Sequence, residues 1–445
     1  MISKQKHTNQ SNLFNGLADQ LNQKHPLFLL SKRLDWNLFE IAFTPLYSLK
    51  MGAPAKPIRL MVSLLILKYV RNLSDENVVE HWSENAYYQY FSGEHFFRPT
   101  LPCVPTELVA FRHRIGVAGM ELILQESIRI NNPNDDENVG KIVSVDTTIQ
   151  EKNITYPTDD KLHKRIIEKC VSTAKEEQIT LRQTYAKEIK KLSILQRFRK
   201  RKNGFKIAAK ASRRIKVIAG RVLRNLEQNL VVLGVSRPKE ELKLFKKVLA
   251  QKRSDSHKIY SLHEPDVKCY SKGKEYKKYE FGSKVSVVVC QYSGIVLGAL
   301  NFTDTLHDSK TIPAVLKQLA RLQNKLPQKM YADRGYVGKS VYGNTKICTP
   351  KPNPAITIVE RKRHSKRAAI EPIIGHLKSD YRLCRNFLKG IIGDAVNCIL
   401  SAAAMNFKRV MNLWKKEAQL SWQFICSLLT NCLRLFYARN LMVTF

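Results

Sequence analysis

The spacing of apolar residues predicts that the N-terminal part of the chain is helical. From about residue 27 to residue 132, apolar positions recur every three or four residues, which is the period of an amphipathic helix. The stretch PAKPIRLMVSLLILKYVRNLSDENVVEHW holds two such segments around NLSD, and Ser74 is the expected N-cap of the second. The pair has the outline of a helix-turn-helix, although adjacent helices are also common in proteins that do not bind DNA.

Another helix is predicted after Pro105, in LPCVPTELVAFRHRIG, and it carries Arg112, His113 and Arg114 together. Such a cluster suits contacts with DNA phosphates, and it fits an ordinary solvated helix face equally well. The polar stretch NNPNDDEN, residues 131–138, follows and is predicted to be a linker.

The period then changes to two in KIVSVDTTIQ, which predicts a strand. Asp146 lies in the middle of this strand, on its more polar face. Between Lys161 and Asn225 the pattern is helical again and strongly basic, with 21 Lys and Arg against 4 Glu. Because apolar residues recur among these charges, we expect a folded helical module that lies along a phosphate backbone rather than a disordered tail.

Strand patterns return in KVSVVVCQYSGIVLGALNF, where YSG is the expected hairpin turn. An amphipathic helix, DSKTIPAVLKQLARLQ, follows with its cap near Asp308 or Ser309, and we expect His307 and Asp308 to serve in capping and packing. The stretch LPQKMYADRGYVGK predicts a short strand that ends at Asp333, beside Arg334, which either holds DNA or is simply solvated. TKICTPKPNP predicts one more short strand.

The stretch RAAIEPIIGHLKSDYRL predicts a helix that carries a glutamate between two cations. Glu371 has Arg367 four residues before it and Lys378 seven residues after it, so on one continuous helix the three share a face. Pro372 is tolerated only in a first turn, so the helix could instead begin near Glu371 and leave Arg367 on the preceding turn. A purely structural interpretation is an ion pair between Arg367 and Glu371.

The net charge narrows the class of partner. The chain of 445 residues has 75 Lys and Arg against 38 Asp and Glu, a formal charge of +37, which favours binding to a polyanion. A generic RNA-binding protein is the simplest alternative, and a membrane surface is disfavoured because the charge is spread over hundreds of residues. The nine cysteines show no zinc-binding spacing and are expected to be reduced core thiols of a cytosolic protein. No charge-free run has the length of a membrane span, and the apolar C-terminal stretch is interrupted by Arg434 and Arg439.

Asp146, Asp333 and Glu371 lie on elements that could converge at one edge of a mixed sheet. Three neighbouring carboxylates would repel one another, and two Mg²⁺ ions would remove that cost. Such a metal pair would stabilise the attacking and leaving oxygens of a phosphoryl transfer. Any one of these residues alone is more often a cap or a surface carboxylate.

SVDTT, YADRGY and RAAIEPIIGHLKSDYRL, in this order, resemble the catalytic segments of DDE transposases from bacterial insertion sequences. The similarity is greatest to the group named after insertion sequence five, within the superfamily it shares with insertion sequence four. In that superfamily the glutamate is framed as tyrosine, two residues, arginine, three residues, glutamate, six residues, lysine. This chain has Arg367, Glu371 and Lys378 at those spacings, but His364 where the tyrosine is usual.

The resemblance implies an α/β fold with an RNase H-like core, a mixed sheet flanked by helices, that holds Mg²⁺ (two ions, with Mn²⁺ able to substitute) on Asp146, Asp333 and Glu371. It implies nicking of double-stranded DNA at the terminal inverted repeats and attack of the freed 3′-hydroxyl on target DNA. Synapsis of two ends implies at least a homodimer, and the bacterial cytoplasm, at the nucleoid, as the location. The expected DNA contacts are Arg367, Lys378, Arg334, Arg112 and Arg114.

The predicted domains are an N-terminal helical DNA-binding domain (1–138), a catalytic core (139–160 and 256–415), a basic helical insertion (161–255) and a C-terminal helical tail (416–445). Two other functions fit the sequence. One is a non-catalytic DNA-binding relic or repressor of its own element, for which the basic charge is equally suitable. The other is a different RNase H-like nuclease such as a junction resolvase, which strand transfer would distinguish from a transposase.

Overall fold

The computed structural model describes residues 16–48, 51–202, 204–233, 239–252, 254–271, 278–350 and 357–441, with side chains up to residue 420. The first helices are α1 to α7: Leu17–Gln20, Pro26–Arg33, Trp36–Phe43, Ile58–Val70, Asp75–Glu84, Ala86–Phe91 and Pro105–Asn131. The later helices are α8 to α15: Asp159–Glu176, Ala186–Arg197, Gly204–Val232, Lys239–Ala250, Asp308–Gln323, Ile358–Arg367, Ile370–Ser379 and Gly390–Leu441. The strands are β1 to β8: Ile142–Lys152, Lys268–Ser271, Tyr279–Cys290, Val296–Phe302, Lys329–Tyr331, Val341–Tyr342, Thr345–Cys348 and Arg385–Asn386.

The chain divides into two compact units. The first consists of residues 1–150, 284–302 and 306–445, and the second of residues 151–283 and 303–305. The predicted basic insertion is therefore present as a unit, but it begins at the end of β1 and runs to residue 283. The N-terminal helices, predicted as a domain of their own, belong to the first unit, because α4 and α7 share one hydrophobic core with the sheet and with α15.

The first unit is built around a mixed sheet in the order β3-β1-β5-β7-β6, with β4 paired to β3 and β8 paired to β1. β1 pairs with β5, and β5 with β7, in parallel, whereas β3–β4 and β6–β7 are antiparallel. The predicted hairpin turn lies between β3 and β4, where Gly294 takes a φ of +70° that disfavours other residues. Helices flank this sheet, as the resemblance to DDE transposases implied.

The second unit has a separate hydrophobic core made by α8, α10 and α11. Ile166, Ile215, Leu226 and Phe245 are buried in it, and the cations of these helices alternate with such apolar positions. The short strand β2 pairs with the first residues of β3 inside this unit. The apolar residues of these basic helices therefore pack together in a core of their own.

Helix α15 is the longest element, and it is continuous across the boundary at residue 416 where a separate tail was predicted. One helical segment in the described part of the chain, Gly390–Leu420, is long and apolar enough to cross a membrane. Of its most apolar window, 67% is buried inside the protein, which is the environment of a core helix. Seven cysteines with described side chains are free thiols; four of them are buried, whereas Cys384 is exposed.

A buried charge cluster joins three N-terminal helices. Asp75, at the start of α5, accepts two hydrogen bonds from the Arg112 guanidinium of α7, at 2.7 and 2.8 Å, and one from Lys68 Nζ of α4 at 2.8 Å. Burial lowers the pKa of Lys68 to about 8, even though Asp75 opposes this shift. Ser74 caps α5 through Asn77 N–H, as predicted.

This cluster shows that the prediction of a DNA contact for Arg112 is wrong. Its side chain is 7% exposed and both of its terminal nitrogens bind Asp75, so the guanidinium has a structural counter-ion instead of a phosphate. Arg114, two residues later on the helix, is exposed and lies over the Tyr47 ring, with 4.2 Å from its guanidinium carbon to the ring centroid.

We expect Asp75→Asn to lower the free energy of unfolding by about 3 kcal/mol, because it leaves two buried cations without a counter-charge. Urea unfolding followed by circular dichroism measures the change. The control is Glu76→Gln, which removes the neighbouring exposed carboxylate. Equal midpoints for the two variants would show that the buried cluster does not stabilise the N-terminal helices.

Candidate active site

Asp146 and Asp333 lie side by side because two neighbouring parallel strands are in register. In the pairing of β1 with β5, Ser144 lies opposite Tyr331. Asp146 and Asp333 each follow two residues later, one within β1 and the other just beyond the end of β5. Side chains two residues apart point to the same face of a strand, and this register therefore sends both carboxylates to the same edge.

Asp146 lies in an electrostatic environment that disfavours its charged form. Its Oδ1 accepts a hydrogen bond from Thr147 N–H at 2.7 Å. Burial raises the pKa of Asp146 to about 6; the charges of Asp333 and Asp308 add to the rise, while the Thr147 hydrogen bond and Arg367 oppose it. A raised pKa of this kind in a partly buried carboxyl is frequent in active sites.

Asp333 caps a 3₁₀ turn, Arg334–Tyr336, by accepting a hydrogen bond from Gly335 N–H at 2.9 Å. Gly335 is the point at which two carboxylates approach each other. A Cβ atom at this position would lie 3.1 Å from Asp333 Oδ1 and 3.2 Å from Asp308 Oδ2. The glycine therefore leaves space that any side chain would take from these oxygens.

Asp308 is a third carboxylate at this edge, and the sequence interpretation had assigned it to capping and packing. It is the first residue of α12. His307 holds the N-cap position, but its Nδ1 lies 2.9 Å from Ser309 Oγ and does not cap a backbone N–H. Asp308 Oδ1 accepts hydrogen bonds from Thr147 Oγ1 at 2.9 Å and from Lys284 Nζ at 2.8 Å. Thr147 thus connects the carboxylates of Asp146 and Asp308. The sequence feature that could have identified Asp308 is its position at the start of the helix that precedes the strand of Asp333.

Glu371 lies apart from these aspartates. Its side chain is 66% exposed and forms an ion pair with Arg367, in which Arg367 Nη2 lies 3.9 Å from Glu371 Oε1. Among the described residues, no three His, Cys, Asp or Glu side chains are close enough to hold one metal ion. The expected convergence of Asp146, Asp333 and Glu371 is therefore not present in this conformation.

The helix that carries Glu371 is interrupted, which is the second of the two arrangements considered from the sequence. α13 ends at Arg367 and α14 begins at Ile370, so Glu371 and Pro372 lie in a first turn, where proline is tolerated. The expectation that Arg367, Glu371 and Lys378 share one continuous helix face is therefore wrong. Arg367, which is 18% exposed, still connects the two parts of the site, since its charge also acts on Asp146.

The remaining predicted residues lie on the same unit. Lys378 is half-buried in the last turn of α14, and Arg334 is exposed in the 3₁₀ turn beside Asp333. His364, which replaces the usual tyrosine, packs its ring edge-on against Tyr331 with centroids 5.0 Å apart. Burial lowers the pKa of His364, which favours its neutral form.

The carboxylates fit a divalent cation by their chemistry. Oxygen ligands of this kind are the ones that hard ions such as Mg²⁺ prefer. The hydroxyl of Tyr336 is buried, with the Ser286 side chain beside it. Burial raises the pKa of Tyr336 further above its ordinary value, and the charges of Asp308, Asp146 and Asp333 contribute. The space that Gly335 leaves beside the oxygens of Asp308 and Asp333 is consistent with a bound cation.

Comparison with known proteins gives two family matches. Residues 16–114 match a family model described as a transposase domain, and residues 250–407 match one described as a transposase DDE domain. A protein of Rhizobium meliloti, described as uncharacterized protein ORF8 in the nfe locus, is 36% identical over 188 residues. That similarity covers 42% of this chain and 90% of the relative. No solved structure is significantly similar to this chain. Together with the mixed sheet flanked by helices, the DDE match confirms the predicted RNase H-like α/β core.

We expect Asp146→Asn to stabilise the metal-free protein at pH 8. Because the folded state raises this pKa from 3.8 to about 6, the proton is held more tightly in the folded than in the unfolded chain. Ionisation of Asp146 therefore lowers the free energy of unfolding. This loss of stability is absent below about pH 4, grows as the pH rises through 6, and is at most about 3 kcal/mol before solvent screening. Urea unfolding at pH 4 and pH 8, in EDTA, measures it, with exposed Asp19→Asn as control. A variant that is less stable than wild type at pH 8 would contradict this expectation.

We expect Gly335→Ala to lower the free energy of unfolding by about 1 to 3 kcal/mol, because the new methyl group pushes against Asp308 and Asp333. Gly375→Ala on α14 is the matched control, since nothing lies within 4 Å of its added Cβ atom and alanine favours a helix. Thermal melts of both variants compare the two effects. If Gly335→Ala melts at or above the wild-type temperature, the two carboxylates are not held close across Gly335.

Proposed function

This chain belongs to the DDE transposase family, and from that premise we propose that it cuts DNA at the ends of an insertion sequence and joins those ends to target DNA. The observation that carries the proposal is the register of β1 with β5, which brings Asp146 and Asp333 to one edge of the sheet. The basic composition supports it, because DNA is a polyanion. We place the protein in the bacterial cytoplasm, associated with the nucleoid.

Divalent cations serve as cofactors in this family, and we propose two Mg²⁺ ions, replaceable by Mn²⁺, held by Asp146, Asp333 and Glu371. When bound, they would polarise the scissile phosphate and activate the attacking oxygen. Asp146 and Asp333 are fixed by the sheet, whereas Glu371 lies on a separate short helix. We propose that Glu371 approaches the aspartates when DNA is bound, because a phosphate near Arg367 would compete with Glu371 for the same guanidinium.

The proposed reaction has two steps. In the first, water attacks a phosphodiester at the end of the element, and the bond from phosphorus to the 3′-oxygen breaks, which leaves a free 3′-hydroxyl. In the second, this hydroxyl attacks a target phosphodiester and displaces a target 3′-oxygen, so one phosphodiester bond replaces another. We assign Arg367, Lys378, Arg334 and Arg114 to phosphate contacts. Two DNA ends must be held together, which supports a homodimer as the active form.

We expect Glu371→Gln to retain binding to DNA from the regions flanking the gene and to lose cleavage by more than about 100-fold, because one oxygen ligand is lost. Purified protein is incubated with end-labelled flanking DNA and Mg²⁺, and nicks and joined products are separated on denaturing gels. Glu80→Gln, on an exposed position of α5, is the matched control.

Three results discriminate among the functions. Nicking and joining by wild type, but not by Glu371→Gln, supports the proposal. Nicking without joining by wild type indicates another nuclease of this fold. Specific DNA binding without cleavage by wild type indicates a non-catalytic relic or a repressor.

A further result concerns Glu371 itself. Equal cleavage by Glu371→Gln and wild type would leave Glu371 as a partner of Arg367 only.

A further inference from the structure

A second charged feature of the first unit lies outside the carboxylate site. It is an open cavity of about 810 Å³ lined by residues of the α4–α5 turn, of α14 and of α15. We call it the basic cleft and define it by the cations Arg71, Lys408, Arg409 and Lys416. None of Asp146, Asp308, Asp333 or Glu371 lines it.

Among the described residues, no carboxylate forms an ion pair with a cation of the basic cleft. None of the four forms an ion pair with another described residue. Asp380 is the carboxylate among the lining residues, and its oxygens are engaged by His376 Nδ1 at 2.9 Å and by the Ser379 hydroxyl at 2.6 Å. Positive charges gathered without counter-ions repel one another, and an anionic ligand would relieve that repulsion.

Two of these cations are partly buried, which makes the absence of counter-ions more costly. Burial lowers the pKa of Lys408, and Arg71 and Lys415 lower it further. Burial also lowers the pKa of Arg409. Arg409 Nη1 lies 3.1 Å from the position of a Cβ atom at Gly294, so the glycine in the β3–β4 turn leaves room for this guanidinium.

The spacing along α15 favours a chain of phosphates over one free anion. Lys408, Asn412 and Lys416 follow one another at intervals of four residues, so they lie along one face of the helix and all line the cleft. Eight residues of helix span ~12 Å. One strand of DNA presents a phosphate every ~3.4 Å along its axis, so this face is long enough for about three phosphates.

We propose that the basic cleft binds the phosphate backbone of a DNA segment other than the one cut at the carboxylate site. The proposal deepens the proposed function, on which it rests for the choice of DNA as the polyanion. The cleft reaches α14 through Ile373 and His376, on the same short helix that carries Glu371. DNA in the cleft would therefore contact the helix whose position the cutting reaction requires.

The test is the salt dependence of DNA binding by the full chain, measured in EDTA by fluorescence anisotropy with a labelled duplex. Lys408→Gln combined with Lys416→Gln should reduce the slope of log affinity against log salt by about 1.8, because two phosphate contacts are lost. Lys317→Gln combined with Lys325→Gln removes the same charge from α12 and the loop after it. The control pair should change the slope much less, and an equal change in both double variants would overturn the proposal.

Two further measurements keep the result interpretable. Arg71→Gln alone alters an exposed side chain, and it should reduce the slope by about 0.9 even if the double variant fails to fold. Inorganic phosphate is tested separately by thermal melts. If phosphate stabilises wild type but not the double variant, while their DNA slopes are equal, the cleft binds a free anion and the DNA assignment is wrong. Because no metal is present, failure of cleavage would not affect this test.

Discussion

The burial of neighbouring carboxylates at one edge of the sheet is the constraint on which the candidate site depends. Asp146, Asp308 and Asp333 meet at one edge of the sheet, and each raises the free energy of its charged neighbours. The fold offsets part of this repulsion with local donors: Thr147 and Lys284 on Asp308, and the Gly335 N–H on Asp333. Asp146 receives a backbone hydrogen bond from Thr147, but it keeps a raised pKa. Burial is the main cause of that raised pKa and repulsion a smaller one, and a bound cation would offset both.

The fold holds the carboxylates of the candidate site with different rigidity. Asp146 and Asp333 are fixed by strand pairing, and Asp308 by a hydrogen-bonded lysine whose Nζ also donates to the Leu306 carbonyl at 2.7 Å. Glu371 instead lies in the first turn of a ten-residue helix that is separated from α13 by Ala368 and Ala369. Such a short element can change position with less loss of packing than a strand in the middle of a sheet.

The sequence allowed the strand of Asp146 and the strand before Asp333 to be predicted, because the period of apolar residues is a local property. Their common edge was an expectation supported by the resemblance to DDE transposases, since the register of β1 with β5 joins segments far apart in the chain. It also allowed a helix start near Glu371 to be given as one of two alternatives, since proline restricts the turn in which it lies. The role of Asp308 and the burial of Arg112 were not predictable in this way. Asp308 depends on Lys284, and Arg112 depends on Asp75, which lies 37 residues earlier in the chain. Partners at such separations are chosen by tertiary packing, about which spacing along one helix gives no information.

The partners of the basic side chains show why a net charge of +37 does not identify the residues that bind DNA. Arg112 and Lys68 are buried on Asp75, and Lys284 is bound to Asp308, so their charges serve the fold and the carboxylate site. Lys408 and Arg409 are also partly buried, but among the described residues they have no carboxylate to bind. What distinguishes the two groups is the presence of a counter-ion, not exposure or helical spacing. Under the proposed function, a partly buried cation without a counter-ion among the described residues is a stronger candidate for a DNA contact than a cation on a solvated helix face, because its desolvation is costly unless an anion binds.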